Sequence, residues 1–282
     1  MITVGIVLYN PDLKLLDVNL NAVISQKCSE DIYIVLVDND SSNITKIKEL
    51  ISKYKDIELI ENGVNKGIAT ALNQIMTLGK EKKCQWVMTL DQDSTIPLDM
   101  IETYIKILNL NKNENIGMLC PRIIDRNAKI SNSSSINELV QVNKCITSGT
   151  LCNVEAWEIS GKYDDNLFID FVDFDMCAKI RINNYKIYQV NSISMIHSIG
   201  VMSEHKLFGF KIISTAHSPV RHYFYSRNLL YFSKKYGYLY PDMNFKKNWL
   251  LEMFCALLYE DNKIRNVSAM IKGMVDSKNM IY

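Results

Sequence analysis

The chain has no run of 18 consecutive apolar residues, so no transmembrane helix is expected. Net charge is equally scarce. Thirty-two basic residues face 31 acidic ones, which leaves no overall field to draw the protein onto nucleic acid or an anionic membrane. Any polyanion must be held at a local site. The seven cysteines include no C-x-x-C pair, are odd in number and lie mostly in apolar runs, which argues against a disulfide framework or a zinc ribbon and for small buried thiols in a reducing cytoplasm. The first eight residues carry no basic leader and pass into Tyr9-Asn10-Pro11, unlike a secretory signal. There is no internal repeat and no clear linker. What remains is 282 residues with 48% hydrophobic content, enough for one sizeable α/β domain or a domain with a helical appendage.

Short β-rich runs alternate with helical patterns through the first third, which predicts βαβ units and a parallel sheet. Strands are expected at 2–8, 32–37, 57–60 and 86–90, with helices over 11–25, 44–54 and 67–78. A helix to about residue 110, a strand at 116–120 and a mobile Ser/Asn-rich loop at 131–137 follow, and 186–190 reads as the best later strand. In an open parallel sheet, ligands sit beyond the carboxyl ends of the strands. Three polar clusters fall there: Tyr9-Asn10, Asp38-Asn39-Asp40-Ser41 and Asp91-Gln92-Asp93-Ser94.

Asp91 and Asp93 share a facing at the tip of a strand, a spacing that suits a hard divalent cation wanting oxygen ligands and bridging to phosphate. A solvated turn or helix cap uses the same residues. Order and context favour the cation. Tyr9-Asn10, then Val37-Asp38-Asn39-Asp40-Ser41, then Asn65-Lys66-Gly67 through Asn73, then Leu90-Asp91-Gln92-Asp93-Ser94 closely resemble the family-2 glycosyltransferases. The resemblance implies a GT-A fold, a Rossmann-like, mostly parallel sheet flanked by helices, with a C-terminal helical extension. It implies Mg²⁺ or Mn²⁺ as cofactor and a nucleotide sugar as donor. By resemblance Asp38 contacts the base, Tyr9, Asn10, Asn65, Lys66 and Gln92 line the donor pocket, Asp91 is the ribose or metal-side carboxylate, and Asp93 holds the metal.

The segment from Leu167 to Cys177, with Asp170, Asp173 and Asp175, looks like the family stretch that carries the catalytic base, which falls on Asp173. Val172 stands where many relatives have Glu, a departure also typical of the rhamnosyltransferase branch. Inverting transfer needs one carboxylate to take the acceptor hydroxyl's proton. Asp170, Asp173 and Asp175 compete for that role, and a helix cap is the bland use of Asp175. His197 after a strand is either a hydrogen-bonded structural residue or, as the resemblance implies, a further metal or diphosphate contact. Trp157, at the opening of an expected helix, is either a sugar platform or a core residue. Arg221-His222-Tyr223-Phe224-Tyr225-Ser226-Arg227-Asn228 resembles a segment of bacterial rhamnosyltransferases. Arg221 and Arg227 are candidate donor contacts, with an aromatic packing helix as the alternative.

These readings divide the chain into a glycosyltransferase domain over 1–217, with a nucleotide-binding half at 1–96 and an acceptor-binding half at 97–217, and a helical extension over 218–282. The expected reaction is inverting transfer of L-rhamnose from dTDP-β-L-rhamnose to a hydroxyl of a saccharide or lipid-linked oligosaccharide, in the cytoplasm or peripherally at the inner membrane face. The alternatives are a UDP-sugar donor and a metal-dependent nucleotidyltransferase; the latter would carry a Gly-rich basic loop where Tyr9-Asn10-Pro11 stands. From Phe245 to Tyr259 the chain is apolar, with Lys246, Lys247 and Trp249 at its start. It is too short to span a bilayer, which leaves a membrane-surface helix, a buried core helix or a homodimer seam.

Overall fold

The computed structural model describes residues 1–125, 138–197, 203–207, 210–214 and 217–280. The 131–137 loop and the side chain of His197 lie outside the described residues. Two compact units are present, one comprising Met1–Asp165 and Asp173–Ser198, the other Asn166–Val172 and Ile199–Tyr282.

In the first unit β1 (Ile2–Leu8), β2 (Ile32–Asp38), β3 (Ile57–Glu61) and β4 (Trp86–Asp91) are joined by α1 (Leu13–Ile24), α2 (Ile44–Ile51) and α3 (Ile68–Glu81). Then come α4 (Met100–Leu110), β5 (Ile116–Asp125), β6 (Leu139–Gln141), β7 (Thr150–Asn153), α5 (Val154–Ile159), α6 (Val172–Ile182) and β8 (Lys186–His197). They form one eight-stranded sheet in the order β3-β2-β1-β4-β7-β5-β8-β6. The nucleotide-binding side is parallel, as expected: β1 pairs with β2 and β4, and β2 with β3. The other side is mixed, because β7 runs antiparallel between β4 and β5, and β6 is antiparallel on β8.

Continuous apolar strands form where both sheet faces are covered by helices. Val4, Ile6 and Leu8 of β1 and Leu36 of β2 are fully buried against Leu16, Leu20 and Val23 of α1. Each contributes about 1.5–3 kcal/mol by leaving water. The strand ends come slightly later than the sequence pattern predicts, since Asp38 and Asp91 still pair as the last residues of β2 and β4. That register brings the three polar clusters to one end of the sheet.

The second unit holds the hairpin β9 (Ser203–Leu207) and β10 (Phe210–Ser214), followed by α7 (Pro219–Tyr236), α8 (Phe245–Leu258) and α9 (Lys263–Asp276). Ser218 caps α7 and Pro219 occupies its first turn. Phe232 on α7 gathers Phe171, Tyr236, Tyr240 and Phe245 within 5.3–5.9 Å. Helices α7 and α9 touch closely at Gly273, where an added Cβ would lie 2.3 Å from the Tyr223 carbonyl oxygen.

Candidate active site

The three strand-end clusters are tied together by short, specific bonds. The Tyr9 backbone N–H donates to Gln92 Oε1 at 2.9 Å, and the Asn10 N–H donates to Ser41 Oγ at 2.8 Å. Asn10 Oδ1 accepts from both N–H and hydroxyl of Ser42. Asn10 and Asp40 adopt left-handed φ values of 48° and 71°, a conformation Asn and Asp tolerate better than most residues.

Asp38 is 2% exposed. Its Oδ2 accepts the Ser41 N–H at 2.9 Å, whereas Oδ1 is buried and lacks a hydrogen-bond partner. A buried acceptor without a donor costs about 1–3 kcal/mol. Beneath it runs an amide net that sequence reasoning missed. Asn39 donates to the Gly67 carbonyl, Asn62 donates to Asn39 Oδ1, and Asn62 and Gln74 exchange bonds. Asn65 Oδ1 accepts the Gly67 N–H at 3.0 Å, which places Asn65 in this loop as a structural brace. Lys66, beside it, is exposed. Gly67 caps α3 at φ 83° and ψ 168°, a region essentially reserved for glycine.

The Asp91 turn is fixed through its backbone. Its N–H donates to Ser148 Oγ at 3.0 Å and its carbonyl accepts from Asn19 Nδ2 at 2.7 Å. Asn19 was not singled out from sequence, although it is a polar residue on the buried apolar stripe of Leu16, Leu20 and Val23, which is itself a signal. The Asp93 carboxylate is exposed and makes no hydrogen bond or ion pair among the described residues. The donor chemistry fits a hard divalent cation: oxygen ligands on a backbone-braced turn, with Asp93 uncommitted.

Asp173 lies in the first turn of α6, half-buried, and Phe174 N–H donates to its Oδ1 at 2.9 Å. It shares a small cavity with Thr147, Thr150 and Tyr163. Thr147 also accepts from Thr89 of β4, and its neighbour Ser148 holds Asp91, so one loop serves both the α6 carboxylate and the metal-type turn. Gly149 ends that loop at φ 77°, where a Cβ would meet Pro121 at 2.9 Å. Asp175, by contrast, is wholly buried and paired to Lys179 at 2.8 Å.

In the second unit Asp170 accepts from Arg221 at 3.1 Å; burial pushes its carboxyl up, against the pull of that guanidinium. Asp170 and Phe171 both have left-handed φ, 64° and 65°, a strain of about 1–3 kcal/mol each. Asn228 holds the segment by donating to the carbonyls of Ile169 and Asp170, and Arg227 donates to the Asn166 carbonyl while stacking over Phe224 at 4.9 Å. Trp157 is a core residue, 1% exposed, with its Nε1 donating to Asn73. It lies inside α5, which begins at the Asn153 cap, and does not open the helix.

Sequence comparison supplies the family. Residues 3–190 match the model for glycosyl transferase family 2. This chain belongs to that family. The family-2 glycosyltransferase is 34% identical over 245 residues to the dTDP-rhamnosyl transferase RfbF of Shigella flexneri, spanning 82% of this chain and 79% of that protein. Among solved structures it resembles S. aureus TarS 1–349, with a TM-score of 0.60, 13% identity and coverage of 98% of this chain and 80% of that one. It spans 44% of a longer TarS chain. The mannosyltransferase PcManGT from Pyrobaculum calidifontis, solved with GDP-Man and Mn²⁺, gives a TM-score of 0.59 at 14% identity, over 100% of this chain and 76% of that one. At such identities the structural likeness shows the GT-A fold alone. The glycosyltransferase activity leaves the nucleotidyltransferase alternative without support.

Proposed function

We propose that this glycosyltransferase transfers L-rhamnose from dTDP-β-L-rhamnose, with inversion, to a hydroxyl of a saccharide or lipid-linked oligosaccharide. The rhamnosyl transferase relative supports the donor. The observation that carries the reading is the buried, unpartnered Oδ1 of Asp38. The imide N–H of thymine or uracil is a donor that satisfies it, whereas cytosine presents an acceptor at the same ring position and would face it repulsively. Tyr9, Asn10, Asn65, Lys66 and Gln92 shape the pocket around that contact.

Asp91 and Asp93 would hold Mg²⁺ or Mn²⁺, which when bound neutralises charge on the leaving diphosphate. His197 is retained as a candidate further contact. Asp173 accepts the acceptor hydroxyl's proton as the new glycosidic bond forms. The family-like segment around Asp173 and its place beside the loop that braces Asp91 support it for the role, whereas Asp175 is wholly buried against Lys179. Arg221 and Arg227, read from sequence as donor contacts, are proposed instead to hold the segment 166–172.

No described helix is long and apolar enough to cross a membrane. Leu250, Leu251, Phe254, Leu257 and Leu258 of α8 are exposed, and Lys246 and Lys247 stand at its start, which supports peripheral attachment at a membrane surface. Trp249 is not available for that contact, because its indole N–H donates to Ser226 on α7.

Calorimetry with free nucleotides in Mn²⁺ tests the base contact. dTDP and UDP should bind and CDP should not. In Asp38→Asn the amide replaces an acceptor with a donor, so dTDP should weaken tenfold or more, about 1.4 kcal/mol, and the preference should move toward CDP. Unchanged dTDP affinity in that variant would remove Asp38 from the pocket.

A further inference from the structure

The helical unit contains a second titratable cluster that the transfer chemistry does not use. His222 of α7 is fully buried. Its Nε2 lies 2.6 Å from Glu260 Oε2, just after α8, and its Nδ1 lies 3.7 Å from Glu252 Oε1 on α8. One ligand atom from each of the three residues lies within 4.8 Å of the other two. Asn266 of α9 donates to Glu260 Oε2 at 3.0 Å and to the Asp261 carbonyl, bracing the carboxylate from outside. Three atoms of this cluster, His222 Nδ1, Glu260 Oε1 and Asn266 Oδ1, are buried and without hydrogen-bond partners. Unsatisfied groups at that density are uncommon in a protein interior, and they share one neighbourhood.

We infer that His222, Glu252 and Glu260 form a structural site for a divalent transition metal of the zinc type, distinct from the Asp91/Asp93 turn. One imidazole nitrogen with two carboxylates is a donor set for zinc, whose bonds of about 2.0–2.2 Å place tetrahedral ligand atoms roughly 3.3–3.5 Å apart. The 3.7 Å separation is close to that figure. The 2.6 Å contact opens by less than an ångström when the proton shared between Nε2 and Oε2 is released to solvent and replaced by the cation. The wider separations close by side-chain rotation. Asn266 supplies the outer-sphere hydrogen bond that orients a ligating carboxylate. Burial of His222 and Glu260, with Glu252 half-buried beside them, suits a site with a structural role, joining α7, α8 and the α8–α9 turn.

The test uses the full chain carrying Asp93→Ala, so that the donor-side carboxylate cannot account for binding. After chelator treatment, addition of ZnCl₂ and gel filtration, the chain should retain about one zinc, and Co²⁺ in its place should give the absorption of a tetrahedral N/O site. Introducing Glu260→Gln should remove both signals. Because that position is buried, Glu252→Gln, at a more accessible position, provides a second variant, with helical content checked by circular dichroism. Zinc should also raise the melting temperature of the Asp93→Ala chain and leave that of either double variant unchanged. The inference is overturned if no zinc is retained, if both double variants still hold it, or if cobalt shows a thiolate charge-transfer band, which would place the metal on cysteines.

Discussion

At the scale of single residues, burial and position separate the carboxylates of the 170–175 segment. Asp175 was a competing candidate in the sequence pattern, and its burial against Lys179 ends that candidacy. Asp173 keeps one oxygen on the Phe174 N–H and lies beside the loop that also braces Asp91. Asp173→Asn should therefore retain donor binding while transfer falls by about 10² or more, the scale of losing a general base, as read by single-turnover assay. Wild-type-like turnover would reassign the role. Asn228 illustrates what a motif hides. Its position beside Arg227 was legible as a signal, but its use was not, because the carbonyls of Ile169 and Asp170 that it serves lie at the entry to a stretch of left-handed backbone, Asp170 and Phe171, that no local pattern announces. Asn228→Ala should cost about 1–3 kcal/mol in urea unfolding by leaving those carbonyls without their donor.

Among elements, the strands of the nucleotide-binding side were readable because each is a short β-rich run, and the register of β1 with β2 and β4 carries Asp38 and Asp91 to one end of the sheet. The mixed side was not. β7 is only four residues long and β6 three, too short for a period to declare itself, and their antiparallel pairing depends on distant partners. The Asn153 cap of α5 was available in the sequence and would have moved Trp157 inward, to the core position it occupies. Two loop glycines are held by geometry. Gly149→Ala should destabilise the fold by about 2–4 kcal/mol, combining positive φ with overlap on Pro121 and Met195, as measured by denaturant midpoint. A midpoint unchanged from wild type would show that the loop relaxes freely.

For the whole molecule, family membership and fold leave open the donor, the acceptor and where the enzyme works. The exposed face of α8 gives a direct measurement of location: vesicles containing anionic lipid should pellet the wild type, and Lys246→Glu/Lys247→Glu should reduce that, since each lysine contributes about 1 kcal/mol near such a surface. A dimer by light scattering that Leu250→Glu dissociates, with no pelleting, would make the face a seam between copies. The central claim is donor identity. Nucleoside diphosphate release should be measured from a panel of dTDP-β-L-rhamnose, UDP-galactose, UDP-N-acetylglucosamine and GDP-mannose, with Mn²⁺ and with chelator. The account predicts release from dTDP-β-L-rhamnose above all others, only with the cation, and lost in Asp93→Ala and Asp173→Asn. Faster release from a UDP-sugar, or release from dTDP-β-L-rhamnose that persists in chelator, would contradict it.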